Sequence, residues 1–524
     1  MTSRLRRTMF LVSVVMVLLV CMTLSMLPGP TAAGPAPRPG GHLRYGLDTD
    51  PPNIDPHVAT GAASRNVILQ LYNSLLRYGP GGSLLPDLAE RWENPDAKTY
   101  IFHIRRGVRF HNDTPLGAAD VKASIERIAN PKTGALIRDS LTPSIAGIEV
   151  TGSHTVKITL TEPQASFPAL LARAESAIVS KALAEAGHDF RTTPVGTGPF
   201  MFAEREPGVR IRVVKNPNYF EKGIPYLDSI TFLPLRDDAT RVNALRSGAV
   251  DMIGYVPWKD MAILERDPQL QLWGTPGPFM VLMFNVNRKP FDDRRVRQAI
   301  AYAVNRQAIV DVVFFGRGSP ITGGLIPTGT WAHNADLEGT YKYDPERAKK
   351  LLAEAGYNPA TPVRLMQSAV HAMHYQTGEV VQAELRKIGM NVVLDSVEWP
   401  VAVERGFRGD YDFRVHGLLS NIIDPDFYAY YFASHSAFYA KPVGFRNDTL
   451  DRLLKEGRAS IDQAHRKRIY RQFEERLLAL SPWTFLTLRV QGDAASKAVK
   501  GYQHLPGGLV TDSQVFLRYI WFER

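Results

Sequence analysis

Only one cysteine, Cys21, occurs in 524 residues, which excludes an intrachain disulfide and any cysteine-based zinc or iron–sulfur site. Past residue 21 no side chain carries a thiol. Blocks of basic residues are also missing: 62 Lys and Arg against 52 Asp and Glu give +10, but the excess is spread along the chain. That distribution argues against a nucleic-acid partner. No segment recurs at a period of 20 to 50 residues, so a solenoid or propeller is disfavoured. GxSxG, GxxxxGK[ST], HExxH and GxGxxG are all absent, which removes the common nucleophile, phosphate, metalloprotease and dinucleotide sites. What remains is a chain with 44% hydrophobic and 22% charged residues, a composition that suits two or three globular domains.

The one long apolar run lies at the start. Arg4, Arg6 and Arg7 precede Met9 to Leu27, and a stretch rich in Pro, Gly and Ala follows to Gly41. This order reads as a secretory leader over residues 1–33, cut after Ala33. An uncleaved anchor stays open, because the run approaches the roughly 20 residues that span a bilayer. Val20 before Cys21 does not suit a lipidation site.

Strand-like and helical runs alternate through the rest, giving a mixed α/β class. Asp344 and Pro345 open a helix whose Ala348, Leu351, Leu352 and Ala355 share one apolar face, and Gly356 closes it. A second helix runs from about Asp293 to Val304 with Val296, Ala299, Ile300 and Ala303 inward; Arg294, Arg295 and Arg297 read as its solvated face. Residues 362–367, 377–388 and 390–397 read as strand, helix and strand. His371 and His374 form an HxxH pair that, with no further ligand near in sequence, reads as polar surface rather than a metal site. Asp237, Asp238, Asp292 and Asp293 read as helix caps rather than acid–base pairs.

The stretch from Tyr72 to Ile128, YNSLLRYGPGGSLLPDLAERWENPDAKTYIFHIRRGVRFHNDTPLGAADVKASIERI, closely resembles the family 5 extracytoplasmic solute-binding proteins that serve ABC importers, the dipeptide, oligopeptide and nickel type. GTGPF at 196–200, KNPNYF at 215–220, ATRVNALRSGAVDM at 239–252, PFDDRRVRQAIAYAVNRQAIV at 290–310 and YDPERAKKLLAEAGY at 343–357 follow in the family's order. Taken singly, these motifs read as scaffold. PDLAERW at 86–92 reads as a turn and a short helical piece, TYIFHI at 99–104 as a strand, and GTGPF as a tight packing or hinge turn.

The resemblance implies an α/β, two-lobed periplasmic-binding-protein-like fold of class II. Lobe one is expected over 34–277 with an extra subdomain near 66–195, lobe two over 278–486, and a return to lobe one over 487–524. PGPF at 276–279 and the stretch 488–492 are the expected crossings between lobes. The implied function is capture of a peptide or peptide-like solute by hinged closure and delivery to a permease and ATPase, without catalysis and without a cofactor, by a periplasmic monomer. An oligosaccharide or other uncharged solute, or a sensor or chaperone role, is the alternative.

Peptide binders of the family place a glycine, a tryptophan and then an aspartate before an Asp-Pro pair, the aspartate holding the peptide ammonium. Here Leu418 follows Gly417, and Asn421 stands before Asp424 and Pro425. An amide lacks the charge that makes such a contact strong. Where dipeptide binders carry a carboxylate-binding arginine, this chain offers His371 and His374. Trp399 matches a frequent aromatic position, and His416 adjoins the altered segment. From lobe one, Tyr45, Asp48, Asp50 and Asn53 are the expected contacts. The candidate ligand residues are therefore Asn421, Trp399, His416, His374, Leu418, Asp424, Asp50, Asn53 and Tyr45.

Overall fold

A computed structural model describes residues 36–523 except 60, 136, 329, 421 and 437. The expected leader and Asn421 lie outside the described residues. Among those described, no helix is long and apolar enough to cross a membrane.

One large mixed sheet organises the molecule. In chain order it takes in β1 (His42–Leu47), then, beyond four strands of a separate sheet and a small hairpin, β8 (Phe200–Glu206), β9 (Arg210–Lys215), β10 (Ser229–Pro234), β11 (Met252–Ile253), β12 (Leu270–Phe284), β13 (Gly318–Pro320), β14 (Pro362–Ser368), β15 (Asn391–Val397), β16 (Phe413–Leu418) and β17 (Trp483–Ser496). The spatial order is β15-β14-β16-β12-β17-β11-β1-β10-β9-β8, with β13 also on β17. In that order β1 and β8–β11 lie to one side of the pair β12–β17, the side of the expected lobe one, and β14–β16 lie to the other, that of the expected lobe two. The long strands β12 and β17 run antiparallel from Leu270 opposite Ser496 to Met283 opposite Trp483. Their register shifts between Pro276 and Phe279 and again between Met280 and Val281. Such bulges bend a ladder locally. The expected crossings face each other there: Pro276 is opposite Val490 and Phe279 opposite Leu488.

The separate sheet is antiparallel, in the order β4-β5-β7-β6, and comprises β4 (Ala89–Asp96), β5 (Thr99–Ile104), β6 (Ile145–Gly152) and β7 (Thr155–Leu160). The hairpin is β2 (Leu76–Tyr78) with β3 (Leu84–Pro86). The helical piece expected within 86–92 is thus strand at Ala89–Asp96: Trp92 pairs with Phe102 on β5, and cross-strand packing overrides a weak local preference. The turn from β7 ties this sheet to the second lobe. Ser166 donates to Asp426 Oδ2 at 2.5 Å, the Ala165 N–H donates to the Arg458 carbonyl at 2.9 Å, and Lys455 pairs with Glu162 at 2.7 Å.

Local signals translate into caps. Asp344 accepts from the Arg347 N–H at the start of the Pro345–Glu354 helix, Asp293 from Arg295 at Arg294–Ala303, and Asp237 from Thr240 at Asp238–Arg246. The strand–helix–strand unit forms, with its helix over Ala372–Lys387. One arginine departs from the solvated face expected of it. Arg297 is only 5% exposed and donates to the carbonyls of Leu480, Ser481 and Phe291 at 2.6–2.9 Å. It caps the end of the Gln463–Leu480 helix, whose last carbonyls lack intrahelical partners; burial brings its pKa down to about 10.

GTGPF packs rather than hinges. A Cβ on Gly196 would stand 2.0 Å from the Leu71 carbonyl oxygen, and one on Gly198 2.3 Å from that of Gln70. Neither glycine needs a left-handed φ; what they provide is room for the end of the Gly61–Leu71 helix, where Leu71 O accepts the Gly198 N–H at 3.0 Å. Gly198→Ala is expected to destabilise by about 3 kcal/mol, because backbone cannot yield as a side chain does. Thermal unfolding that matches wild type would contradict this account.

Candidate functional site

The site is built where β12 and β17 pass from one lobe to the other. Alternation along β17 aims Arg489 and Gln491 to one face. Arg489 is 5% exposed. Its Nη1 donates to the Tyr255 hydroxyl at 3.3 Å, and its guanidinium lies 5.6 Å from the centroid of the Trp258 ring. Among the described residues its Nε has no partner.

Tyr255 follows β11 with φ +56°, a conformation that costs a non-glycine residue about 1 kcal/mol. It is held there from both sides. Its N–H donates to Asp493 Oδ1 at 3.3 Å, and its carbonyl accepts from Arg241 Nη2 at 3.0 Å. Asp493 is itself buried and fully engaged, by the Tyr502 hydroxyl, His504 Nε2 at 3.2 Å and Gln514 Nε2 at 3.1 Å. Next to Tyr255 is a small cavity of about 20 Å³, lined among others by Asp48, Asn66, Gln491, Thr511 and Gln514. Asp48 takes part in no ion pair among the described residues, and burial raises its pKa.

From the second lobe comes an aromatic group. His371 and His374 stand at the start of the Ala372–Lys387 helix, Trp399 opens the Trp399–Arg408 helix, and His416 sits on β16. His374 lies 5.4 Å from Trp399 and 5.9 Å from His416 between ring centroids; Trp399 and His416 stack at 6.0 Å. His371 meets Trp399 edge-on at 4.9 Å. Gly417 makes room for this nest, since a Cβ there would come within 3.3 Å of His374 Nε2. His374 is 2% exposed, and neither ring nitrogen has a partner among the described residues. Desolvation, with His371, Arg489 and Arg414 adding positive potential, takes its pKa down to about 3. His416 is pushed well below the ordinary value by the same burial, helped by Arg414 and His374. At neutral pH the nest is uncharged. The HxxH pair is therefore not plain polar surface: His374 is buried and His371 half-buried. Among the described residues no group of three or more His, Cys, Asp and Glu is disposed to hold a metal.

Of the residues expected from sequence, Trp399, His374 and His416 come together here. Leu418 is buried on β16, paired with Phe279 at the bulge. Asp424 forms a two-pronged pair with Arg466 at 2.6 and 2.8 Å and accepts the Asp426 N–H, a structural turn. Tyr45 lies beneath the cavity, its hydroxyl accepting from Gln514 at 3.3 Å. Asp50 is tied to Arg205 at 3.6 Å and the Gly208 N–H, and Asn53 Oδ1 takes the Asp55 N–H; neither lines the cavity. Sequence reasoning missed Arg489 and Tyr255. The alternation of TFLTLRVQG was the available signal for Arg489, and nothing local marks Tyr255.

Three comparisons bear on what this arrangement belongs to. The family model described as bacterial extracellular solute-binding proteins, family 5 Middle, matches residues 83–440. The glutathione-binding protein GsiB of Salmonella typhimurium is 31% identical over 475 residues, covering 86% of this chain and 90% of that protein. Among solved structures, the binding protein AgaA from A. tumefaciens R10 in complex with agropinic acid is 40% identical, with a TM-score of 0.84 over 92% of this chain and 99% of that one. The periplasmic binding protein DppA from Helicobacter pylori in complex with the peptide STSA is 26% identical, with a TM-score of 0.82 over 93% and 99%.

Proposed function

This chain belongs to the bacterial extracellular solute-binding proteins of family 5, and on that premise we propose that it captures a small, carboxylate-bearing, amino-acid-derived solute between its lobes. As a substrate-binding component of an ABC importer it works with a membrane permease and ATPase. The solute is released chemically unaltered, the protein acts as a periplasmic monomer, and residues 1–33 direct it there as a leader. The observation that carries the choice of solute is a buried arginine that has no carboxylate or carbonyl partner among the described residues. That arginine is Arg489, while Asp424, Asp426 and Asp493 are each occupied by partners within the protein. Agropinic acid, glutathione and the STSA peptide, the molecules named with its relatives, are all carboxylates. An uncharged oligosaccharide would leave the buried guanidinium without a counter-charge, which is costly.

A thermal-shift and calorimetric panel of agropinic acid, glutathione, short peptides and raffinose tests this reading. A solute at one hundred times its Kd adds about 2.7 kcal/mol to stability. The carboxylates are expected to raise the unfolding temperature and raffinose to leave it unchanged. Stabilisation by raffinose alone, or recovery of a chemically altered solute, would refute it.

A further inference from the structure

Buried arginines in this protein are almost all neutralised by groups of the chain itself. Arg466 pairs with Asp424, Arg173 with Glu175 and Arg241 with Asp238. Arg297 and Arg306 are sunk among main-chain carbonyls. Arg518 bonds the Tyr219 hydroxyl with Asp87 at 3.9 Å. Two buried arginines have no carboxylate or carbonyl partner among the described residues. One, Arg414, is closed inside the second lobe, donating to Met283 Sδ at 3.2 Å with its guanidinium 5.0 Å from the Tyr411 ring centroid. The other is Arg489, whose single hydrogen bond is a long one to a neutral hydroxyl and which lies between the cavity and the imidazole nest. A buried charge without a partner is strongly unfavourable, so its retention in the interlobe region calls for a counter-ion that arrives from outside.

Tyr255 makes the placement deliberate. With its N–H and carbonyl both clamped in a left-handed conformation, the phenol is fixed against one edge of the guanidinium. The remaining donors are left for a planar acceptor, and a guanidinium fork matches a carboxylate.

We propose that Arg489 is the carboxylate anchor of the bound solute, that Tyr255 is its positioning residue, and that Trp399 with the His371, His374 and His416 rings receives the uncharged part of the same molecule. The inference rests on the solute class proposed above and assigns its recognition to particular groups.

Titration calorimetry with agropinic acid and with its methyl ester, which lacks the carboxylate, tests the anchor. Arg489→Gln is expected to weaken the acid at least 30-fold and to change ester affinity by less than three-fold. Arg489→Lys recovers only part of the loss, because it restores charge without the fork. The solute-free Arg489→Gln protein unfolds at or above the wild-type temperature, since it has lost an uncompensated charge; a purely structural arginine would do the opposite. Tyr255→Phe, which keeps Arg489, weakens the acid three- to five-fold and spares the ester, and decides the matter if the Arg489 variants fold poorly. Equal binding of the acid by wild type and Arg489→Gln, or equal losses on acid and ester, overturns the anchor and leaves the solute class standing. Wild-type protein that binds raffinose alone, or nothing in the panel, overturns both.

Discussion

Gly508→Ala is expected to fold normally and to bind its solute at least ten-fold more weakly than wild type. Gly508 lies in the C-terminal segment Gly507–Tyr519, which packs on the Gly61–Leu71 helix of the first lobe. A Cβ there would stand 2.0 Å from the Ser420 carbonyl oxygen and 2.2 Å from its hydroxyl, and Ser420 follows β16 of the second lobe. The neighbouring Gly507 faces Gly277 with as little space, 1.9 Å from its carbonyl oxygen to the position of a Gly277 Cβ, beside the β12 bulge. A methyl group at 508 thus wedges the lobes apart close to their pivot, where a small displacement opens a wide gap at the rim. The fold of either lobe does not depend on that contact, but the closed state does. Apparent affinity scales with the fraction of protein in the binding-competent state, so about 1.4 kcal/mol of bias against closure already gives a ten-fold loss. The wedge also separates the Ser166–Asp426 and Glu162–Lys455 contacts at the far side. Small-angle scattering of the variant with solute should retain the larger radius of the solute-free protein. Gly147→Ala, at a position with open space, should behave as wild type. Undiminished affinity of Gly508→Ala would show that closure does not bring these two segments together.

How far the sequence speaks depends on whether a residue's role is local. Caps at Asp344, Asp293 and Asp237 are decided within four residues, and all are legible. The family motifs are legible too, because they describe the scaffold. Trp399 and His374 could be singled out from the positions where the resemblance implies ligand groups, and His416 because it adjoins the altered segment Gly417–Leu418. Arg489 and Arg297 were not legible. In sequence each looks like the polar member of an amphipathic element, and each is buried only because distant segments cover it: β12 and β13 flank Arg489 on β17, and the end of the Gln463–Leu480 helix receives Arg297. Tyr255 is harder still. Its significance is a backbone conformation imposed by Arg241 and Asp493, which are 14 and 238 residues away. The helical reading of 86–92 failed for the same reason, since strand pairing is a tertiary fact.

Acidification provides the second large effect, and His374 isolates it. The groups around this ring are His371 on its own helix, Trp399, His416 and Arg414 from β16, and Arg489 from β17. None is an anion, so burial and positive potential act together to hold its pKa at about 3, against 6.5 for an unhindered imidazole. A folded-state pKa below the unfolded one means that the unfolded chain takes up the proton first. Stability is therefore full above pH 6.5 and falls as the pH drops from there towards 3. At pH 5 the loss from this one residue is about 2 kcal/mol. Other groups titrate in the same range: His57 and His111 are lowered to about 4 by burial, whereas Asp48, Asp424 and Glu474 are raised by it and oppose the trend. The comparison that matters is thus differential. Denaturation of wild type and His374→Leu at pH 7 and pH 5 should show the wild type losing about 2 kcal/mol more than the variant over that interval. Parallel losses would mean that the ring is protonated in the folded protein. In that case the second-lobe nest is cationic, and it attracts the solute's carboxylate in its own right instead of receiving the uncharged part.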